Sequence, residues 1–554
     1  MNAGKLPFCL LAEARDFASR SLADFMAVVL RQSRDLAGTD GLAWIALSVS
    51  VSTLDPAYRR NGLAKRLELA FEAIRDRWYA LAHAHAGDPG AAFSTTLTCA
   101  PTISDLGLML AWTRIVGELA AEPAATAVLC DDPWLFRHLA GLPGVSAGRP
   151  PALWPARLRL AARGLAARAA LCLRLARAVF ATRAQRGHHR SGGSFLLVYG
   201  HPGSKGDGFD AYFGPLPQQT PALGRLLHTD CLPGRAAELV ADGRTASLHA
   251  WGRLAWLPAL LFTRWRPRPA ASDPWLLARA AIIEGSTAMA ATTRWQNRCQ
   301  RAWLEAMRPR AVAWPWENHC WERDFVQAAR RLGVKTIGYQ HTVVGRHMYN
   351  QSPRISPLGA TALPDRLLAN GPATRADLAA AGVPEDRLAV IGATRLAEAA
   401  PLPYDPAAPV FVALSHDEAL ADQQMRAVRL AAAAGRWRFL VKDHPMYPFA
   451  FAEDERVRRT DLQLQKQQAV SAVFVCTGAV GLEALLGGLP TIRLVPDGLV
   501  AQDVLPAALK AVEIEGDGLA EALGAARPPA PVRWDEVLAP PDFDRWRAEL
   551  EVEA

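Results

Sequence analysis

The sequence lacks any apolar run long enough to cross a membrane. The longest candidates, such as the run at 254–262, fall well short of the roughly 20 residues that a spanning helix needs. The chain also has no basic N-terminal segment that leads into a long apolar run and a small-residue cleavage site, so no secretion signal is predicted. These absences predict a cytoplasmic protein, with peripheral contact to the inner membrane as an open alternative.

Paired cysteines are also missing. The eight cysteines are scattered, with no CxxC pair and no His/Cys cluster at zinc-ligand spacing. Reduced and mostly buried thiols are therefore predicted, and no metal site is expected. The sequence also lacks a GxGxxG loop, the usual mark of a dinucleotide cofactor in an α/β protein. We expect no cofactor beyond a substrate.

Acidic residues are absent from one long stretch of a chain whose net charge is +8. No Asp or Glu occurs between Pro133 and Gly206, whereas arginines recur there, at positions 157, 159, 163, 168, 174, 177, 183, 186 and 190. From 151 to 190 they alternate with leucines at helical spacing, which predicts one or two cationic amphipathic helices. Such a surface suits anionic lipid, a phosphorylated acceptor or nucleic acid. Membrane contact and a solvated helical hairpin both remain open.

What the 554 residues do contain is a repeated alternation of short buried strands and helical segments. This alternation is typical of parallel α/β sheets, and the length suggests two to four domains. The predicted fold class is α/β, with two Rossmann-like domains and a helical, cationic insertion. The predicted units are an N-terminal Rossmann-like and helical part (1–150), the basic insertion (151–190), the completion of the first α/β domain (191–365), a second α/β domain that binds the donor (366–525), and a C-terminal tail (526–554) expected to close back on the first domain.

The second predicted domain contains a strand that delivers Thr477 and Gly478 to a tight turn before a helix. The free N–H groups of such a helix start attract phosphate, and Thr477 is placed to cap the helix or to bind phosphate itself. Glu483, one and a half turns on, is a candidate for ribose hydroxyls. An ordinary N-cap and a solvated glutamate are the structural alternatives.

A second candidate phosphate site is the segment at 439–445, which ends a buried strand with Lys442, His444 and Pro445. Lys442 supplies charge, His444 can donate to a leaving phosphate, and Pro445 fixes the turn. Because strand ends of one parallel sheet share a crevice, we expect Lys442, His444 and Thr477 to converge on one anion.

Carboxylates at the end of an earlier strand are the candidates for acceptor-side chemistry. Glu317 follows the apolar run at 311–316, and Glu322 follows within the next helix. Both are candidates for a general base or nucleophile, with Asp207 and Asp210 of a glycine-rich loop as competitors. An apolar, aromatic setting would raise the pKa of Glu317. Capping or salt bridging by Glu322 and a plain turn at Asp207 are the alternatives.

The next strand ends in Gln340 and His341, which are candidates for binding sugar or base. A satisfied core histidine is an equally good interpretation of His341.

Together these motifs resemble bacterial GT-B glycosyltransferases of surface-polysaccharide and capsule synthesis. The resemblance covers about 195–495 and is strongest to the CMP-sugar users, the sialyltransferases and retaining Kdo transferases, and weaker to CDP-glycerol transferases. It rests on the following motifs: ENxxWE (317–322), GYQH (338–341), ANG (369–371), KxHP (442–445) and TGxxxxEAxxxGxP (477–490).

In the CMP-sugar users the HP pair and a Ser/Thr-rich turn contact the CMP phosphate. The resemblance therefore implies this role for His444, Pro445 and Thr477. The chain departs from the sialyltransferase pattern in having Cys476 before Thr477 in place of two hydroxyl residues.

The resemblance implies a metal-independent transferase that moves a sugar from a nucleotide-activated donor, CMP-sugar favoured, to a lipid-linked surface-polysaccharide acceptor. The donor would lie on Lys442, His444, Thr477, Gly478 and Glu483, and the acceptor near Asp207, Glu317 and Gln340. Capsule or lipopolysaccharide synthesis at the inner membrane is the expected setting, with no nucleic acid partner. Alternatives are a CDP-glycerol-type polyol-phosphate transferase, a sugar-nucleotide 2-epimerase and a non-catalytic assembly factor.

Overall fold

The structure is a computed structural model, and it describes residues 26–30, 43–47, 59–124, 126–269, 272–395, 401–445 and 447–553. All seven cysteines in these ranges are free thiols, and all but Cys172 are buried, as predicted. Cys9 lies outside the described residues.

The described N-terminal part forms a separate layer around a small mixed sheet. Its elements are β1 (Met26–Leu30), β2 (Ala43–Leu47), α1 (Leu63–Ala73), α2 (Arg75–His85), α3 (Leu106–Ala120), β3 (Thr126–Cys130), α4 (Pro133–Leu139) and β4 (Val145–Ala147). The strand order is β2-β3-β1-β4, in which only the β2–β3 pair is parallel. The strand β3, a short turn and the helix α4 follow one another directly, with Asp132 capping α4. This layer does not extend the first parallel sheet, because its strands pair only with one another.

The basic insertion is one long helix, α5 (Leu153–Thr182), followed by a 3-10 turn (Arg183–His188). Its second half packs on the body of the protein through Leu171, Leu175 and Val179. No residue from 153 to 167 is buried. A helix is therefore present where one was predicted, and the side chains of its first half are not buried.

A seven-stranded parallel sheet follows. Its strands are β5 (Ser194–Val198), β6 (Leu223–Leu227), β7 (Thr245–Ser247), β8 (Ala311–Pro315), β9 (Lys335–Gln340), β10 (Arg366–Ala369) and β11 (Leu388–Val390), in the order β11-β10-β9-β8-β5-β6-β7. The connecting helices are α6 (Leu216–Gln219), α7 (Pro233–Leu239), α8 (Leu257–Leu261), α9 (Pro274–Ile283), α10 (Ala288–Met307), α11 (Cys320–Arg330) and α12 (Pro372–Ala380). Apolar side chains fill both faces of this sheet, as expected for strands covered by helices on both sides.

The second parallel sheet has six strands in the order β14-β13-β12-β15-β16-β17. They are β12 (Val410–Ala413), β13 (Phe439–Lys442), β14 (Val457–Arg459), β15 (Val473–Val475), β16 (Thr491–Val495) and β17 (Val512–Glu515), with helices α13 (Glu418–Ala433), α14 (Val480–Leu486) and α15 (Leu519–Ala525). Written from its first strand, this order is 3-2-1-4-5-6, that of a Rossmann sheet. The predicted α/β class with two Rossmann-like domains is confirmed.

The boundary between the two sheets lies further along the chain than expected. The strands β10 and β11 were assigned to the second domain from residue 366 onward, but they pair in register with β9 and with each other at the edge of the first sheet. The second sheet begins only at Val410. A strand's own apolar pattern reveals that it is buried but not which sheet it joins, so the sequence placed this boundary too early.

The tail returns to the first sheet, as expected. After α16 (Trp534–Val537), α17 (Phe543–Leu550) inserts Trp546 edge-on between Phe213 and Tyr339, with ring centroids 5.3 and 5.2 Å away. The Ser194 hydroxyl donates to the carbonyl of Leu550 at 2.6 Å. The chain thus crosses from the second sheet back to the first and ties the two together.

A buried ion pair also joins the N-terminal layer to the second sheet. Arg493 on β16 donates to Glu68 on α1 at 2.6 Å, and both side chains are almost fully buried. No helix among the described residues is both long and apolar enough to cross a bilayer. In those same ranges, no three His, Cys, Asp or Glu side chains are grouped as metal ligands would be.

Candidate functional site

Each parallel sheet has one point at which its strand order reverses, and ligands of open α/β sheets bind outside the carboxyl ends of the strands there. In the first sheet this point lies between β5 and β8, which are followed by Tyr199 and Glu317. In the second sheet it lies between β12 and β15, which are followed by His416 and Thr477. The topology therefore places Glu317 and Thr477 at the two positions where ligand contacts are expected.

Residues that follow the strands of the two sheets lie near one another, and we call the space between them the cleft. His201 follows β5 of the first sheet, and His444 follows β13 of the second. The pKa of His201 is lowered by burial, then by Arg395 and then by His444, so these groups lie close together. Arg395 lies in the connection after β11, with its guanidinium 5.2 Å from the ring centroid of Tyr212. Its charge acts on His341 on one side and on His444 and Glu483 on the other. Arg395 is therefore a cation placed between the two domains.

Glu317 forms a close pair with His319 at the first switch point. The Nε2 of His319 lies 2.6 Å from Oε2 of Glu317. Burial would raise the pKa of Glu317, but the hydrogen bond from His319 and the charge of His319 outweigh it, and the pKa is lowered to about 2. Burial likewise lowers the pKa of His319, and the Glu317 carboxylate outweighs it, so that pKa is raised. The expectation of a raised pKa for Glu317 is wrong, because a cationic partner lies beside the carboxylate.

The Glu317 side chain is 40% exposed, so the pair with His319 is open to the cleft. Two asparagines fix the backbone at Glu317. Asn318 adopts a left-handed φ of 54° and donates to the carbonyl of Asn350 at 2.7 Å, and Asn350 donates back to the carbonyl of Glu317 at 2.5 Å. Asparagine tolerates this region better than most residues, and strained backbone of this kind concentrates at functional sites.

Glu322 does not face the cleft. It is 1% exposed, and its oxygens accept from the Trp314 indole at 2.8 Å and from the backbone N–H groups of Glu317 and His319, both at 3.1 Å. It is the N3 carboxylate that closes the start of α11, and burial raises its pKa to about 7. The proposed acceptor contact for Glu322 is corrected to a cap that positions Glu317 and His319.

The glycine-rich loop after β5 contributes differently from what was expected. Asp207 is exposed and accepts the N–H of Phe209 at 3.0 Å, which closes a local turn. Asp210 is fully buried and accepts the N–H groups of Tyr212 and Phe213 at 2.9 and 3.2 Å. Both carboxylates shape the loop, so the catalytic candidacy of Asp207 gains no support, whereas Tyr212 from the same loop reaches the cleft.

Gln340 and His341 end β9 beside this tyrosine. His341 is 5% exposed, its ring meets Tyr212 edge-on at 4.9 Å, and its Nδ1 has no hydrogen-bond partner. Burial and then Arg395 lower its pKa to about 3, so it is neutral. Gln340 is fully buried and donates to Thr342, while its Oε1 is unpaired. The unpaired atoms leave both residues able to receive a ligand or an ordered water.

Asp230 follows β6 and is a second carboxylate of the cleft. Its charge, like that of Glu317, acts on Tyr199 and Tyr212, which places both carboxylates around the same two rings. The Asp230 side chain is exposed, and the desolvation caused by the protein around it raises its pKa to about 6. The two carboxyl groups therefore differ: the pKa of Glu317 is lowered and that of Asp230 is raised.

On the second sheet, His444 lies among aromatic and cationic groups. Its ring centroid is 5.8 Å from that of His416 and 5.5 Å from that of Tyr447. Burial, then His416, then Arg395 lower the pKa of His444. A phosphate bound beside His444 would favour the protonated form of this histidine.

The predicted convergence with Thr477 needs correction for Lys442. The strand β12 lies between β13 and β15, so the loop after β12, which carries His416, lies between the strand ends that carry His444 and Thr477. The Lys442 ammonium donates to the carbonyl of Asp461 at 2.9 Å, beyond β14 and toward the outer edge of the sheet. Pro445 is exposed in the turn, as expected for a residue that ends the strand.

Thr477 does not cap α14. That helix begins at Val480 with Ala479 as its N-cap and no side-chain cap, and the Thr477 hydroxyl donates instead to the carbonyl of Gln502 at 2.7 Å. Gly478 is exposed with a φ of 104°, which explains the glycine and leaves its backbone accessible. Glu483 accepts from Gln465, and burial raises its pKa.

Sequence reasoning missed several cleft residues, namely Tyr199, His201, Tyr212, Asp230, His319, Arg395 and His416. All but Tyr212 and Arg395 lie within four residues of a strand end, which is the signal that could have found them. Asp230 was missed because β6, a short strand that contains Arg225, was not recognised. Tyr212 and Arg395 reach the cleft only through the folding of their loops.

No protein-family model matches the chain, and neither does any curated protein sequence. Among solved structures, the chain is similar to the glycotransferase of kitacinnamycin, with 16% identity, a TM-score of 0.34, and coverage of 65% of this chain and 90% of that one. It is also similar to UDP-GlcNAc 2-epimerase from Neisseria meningitidis (12% identity, TM-score 0.32, 54% and 82% coverage) and to the glycosyltransferase SnogD from Streptomyces nogalater (13%, 0.37, 65% and 99%). At such scores, conclusions about function rest on the residues of this chain.

Proposed function

We propose that this protein is a GT-B-type glycosyltransferase that moves a sugar from a nucleotide-activated donor to a lipid-linked acceptor of surface-polysaccharide synthesis. A CMP-sugar is the favoured donor. The observation that carries the proposal is the cleft between two doubly wound sheets, each presenting its switch point to it. Its second-sheet side carries histidines suited to phosphate, and its first-sheet side carries carboxylates suited to a sugar hydroxyl. A peripheral place on the cytoplasmic face of the inner membrane would bring the enzyme to such an acceptor.

The donor phosphate would lie against His444 and His416, with Arg395 completing the charge. The exposed backbone at Gly478 and the hydroxyl of Thr477 border the same switch point, and Glu483 offers a carboxylate for ribose hydroxyls. Protonated His444 would donate to the phosphate oxygen that departs from the sugar. Lys442 is left out of this assignment because its ammonium is engaged at the outer strand.

In the transfer, the acceptor hydroxyl oxygen forms a bond to the anomeric carbon. The bond from that carbon to the donor phosphate breaks, and its electron pair stays on the phosphate. The hydroxyl proton passes to a protein base. A base is most effective when its pKa lies near the working pH, so Asp230, with a pKa of about 6, suits this step.

Glu317 suits a different task. With a pKa of about 2 it stays ionised and is a weak proton acceptor, but it is a strong hydrogen-bond acceptor. Only Oε2 is used in the contact with His319, so Oε1 can hold a hydroxyl of the acceptor sugar. Glu317 is thereby assigned to acceptor positioning, with Gln340 and His341 beside it.

A thermal-shift screen with CMP, CDP, UDP, GDP and TDP tests the proposal. A nucleotide present at 100 times its dissociation constant should stabilise the protein by about 2.7 kcal/mol. Binding of CMP above the others, lost in His444→Ala but kept in the exposed control His83→Ala, would support the donor assignment. Failure of all five nucleotides would reject it and favour an assembly factor without a donor.

Incubation with donors then separates the enzymatic alternatives. Conversion of a UDP-sugar alone to its epimer would identify a 2-epimerase, because a transferase needs an acceptor in order to use its donor. Transfer of polyol phosphate from CDP-glycerol would identify the polyol-phosphate alternative. Sugar transfer from a CMP-sugar to a lipid-linked glycan, and to no water-soluble monosaccharide, is the outcome that the proposal expects.

A further inference from the structure

The helix α5 carries an apolar face, from Trp154 near its start to Phe180 near its end, that the described chain leaves open to solvent. Five large apolar side chains of this helix are exposed by half or more: Trp154 by 69%, Leu158 by 64%, Leu165 by 50%, Leu173 by 62% and Phe180 by 57%. At 3.6 residues per turn they fall within an arc of about 100°. They form one continuous stripe along the 30-residue helix, not scattered exposures of the kind that any surface shows.

The stripe is not the face by which the helix is attached. Arg168, buried within α5, donates to the carbonyl of Leu261 at 2.9 Å and also to that of Ser286. Cys172 donates to the carbonyl of Leu257 at 3.4 Å. These contacts and the buried Leu171 and Leu175 fix the side of the helix next to the stripe to the first domain. The body of the protein thus holds the stripe outward.

A neighbouring loop extends the stripe. Phe262 directly follows α8, whose last residue accepts from Arg168, so it lies beside the middle of α5. It is 77% exposed, the highest value among the exposed large apolar side chains of the described residues. An aromatic residue held in water at this position adds to the apolar surface that a partner would cover.

Charge identifies the partner. Arg159, Arg163, Arg174 and Arg177 are all exposed and fall on the arc adjoining the stripe, at about 140° to 200° from Trp154 on the helical wheel. No acidic residue occurs anywhere from 133 to 206 to offset them. An apolar stripe bordered by arginines alone matches a surface that is apolar below and anionic at its headgroups.

We propose that α5 docks this protein on an anionic lipid bilayer, with the face from Trp154 to Phe180 and Phe262 buried among the lipids and the adjoining arginines at the headgroups. The helix lies in the plane of the interface, since no described helix is apolar enough to span it. This surface lies apart from the catalytic cleft, so the proposal holds or fails independently of the proposed reaction.

Sedimentation with vesicles tests the docking. The full chain should bind vesicles that contain 30% phosphatidylglycerol in phosphatidylcholine and should bind pure phosphatidylcholine much more weakly. The triple variant Arg159→Glu, Arg163→Glu, Arg177→Glu should lower the partition coefficient by about 100-fold or more, because each basic residue near an anionic surface contributes about a factor of five. Raising the salt concentration should weaken binding of the unaltered chain in the same direction.

A second set of substitutions separates the apolar contribution from the charge. Trp154→Ser with Leu158→Ser should lower binding at high salt, where the electrostatic attraction is screened. Leu430→Ser, which replaces a leucine that is 58% exposed on α13 of the second domain, is the matched control and should change nothing. Circular dichroism and unfolding should be unaltered in all variants, because none of these side chains is buried.

Two outcomes would overturn the proposal. One is vesicle binding by the arginine variant equal to that of the unaltered chain. The other is a concentration-dependent dimer, seen by analytical ultracentrifugation without lipid and abolished by the Trp154 and Leu158 substitutions, which would show that a second copy of the chain covers the stripe.

Discussion

Replacing Glu317 with glutamine removes one negative charge from the cleft and leaves the shape of the side chain. In the structure this carboxylate holds His319 at 2.6 Å, and the same group is proposed to accept a hydroxyl of the acceptor sugar. A hydrogen bond to a charged group contributes about 1.5 to 3 kcal/mol, so its loss from the transition state should lower acceptor kcat/KM by about 10-fold to 150-fold.

The variant should also reveal its effect on His319 directly. The carboxylate is what raises the pKa of His319 against the opposing effect of burial, so in Glu317→Gln that pKa should fall. NMR titration of the histidine ring signals, assigned with a His319→Gln variant, measures this change. Donor nucleotide affinity should stay the same, because the donor side of the cleft belongs to the second sheet. Asp207→Asn, in the exposed turn after β5, is the matched control and should retain full transfer.

The reasoning fails if Glu317→Gln folds normally, binds the nucleotide and transfers sugar at the unaltered rate. It also fails if the His319 titration does not move, since the pair would then not exist in solution. A loss of transfer accompanied by a lower melting temperature and weaker nucleotide binding would reveal a structural role and would contradict acceptor positioning.

Three further predictions follow from the same geometry. His444→Ala should reduce donor turnover by about 100-fold or more, corresponding to roughly 3 kcal/mol, in a steady-state assay in which His83→Ala is unchanged; near-normal turnover would remove His444 from the phosphate site. Transfer by the unaltered enzyme should decline as the pH falls through about 6, and Asp230→Asn should be slow without that decline, whereas an unaltered pH profile would exclude Asp230 as the base. Burial lowers the pKa of His228 and His341 to about 3, below the ordinary 6.5. Between these two pH values the unfolded chain binds more protons than the folded chain, so the protein loses stability as the pH falls. Each should cost about 2 kcal/mol between pH 7 and pH 5, measured by urea unfolding as the difference in pH dependence between the unaltered chain and the His228→Gln or His341→Gln variant; the same pH dependence in chain and variant would contradict burial of that ring in its neutral form.

The alternation of apolar strands with amphipathic helices was enough to predict an α/β chain with parallel sheets. It located the strands that carry Glu317, His341, His444 and Thr477, because a buried parallel strand is a short apolar run whatever its neighbours. The acid-free helix was visible for the same reason, since composition and helical period are local properties of the chain. The local pattern of strands and helices is therefore enough to predict which residues lie at strand ends, where ligands bind.

Strand order, by contrast, was decided only by the tertiary structure. Sheet membership moved β10 and β11 to the first domain and placed β12, with His416, between His444 and Thr477. The tertiary structure also decided the direction of two side chains. Glu322 points inward and caps a helix, and Lys442 points outward and donates to the carbonyl of Asp461. The low pKa of Glu317 and the place of Arg395 depend on contacts between loops far apart in the chain, which no local pattern specifies, because a strand's burial says nothing about which neighbours it meets.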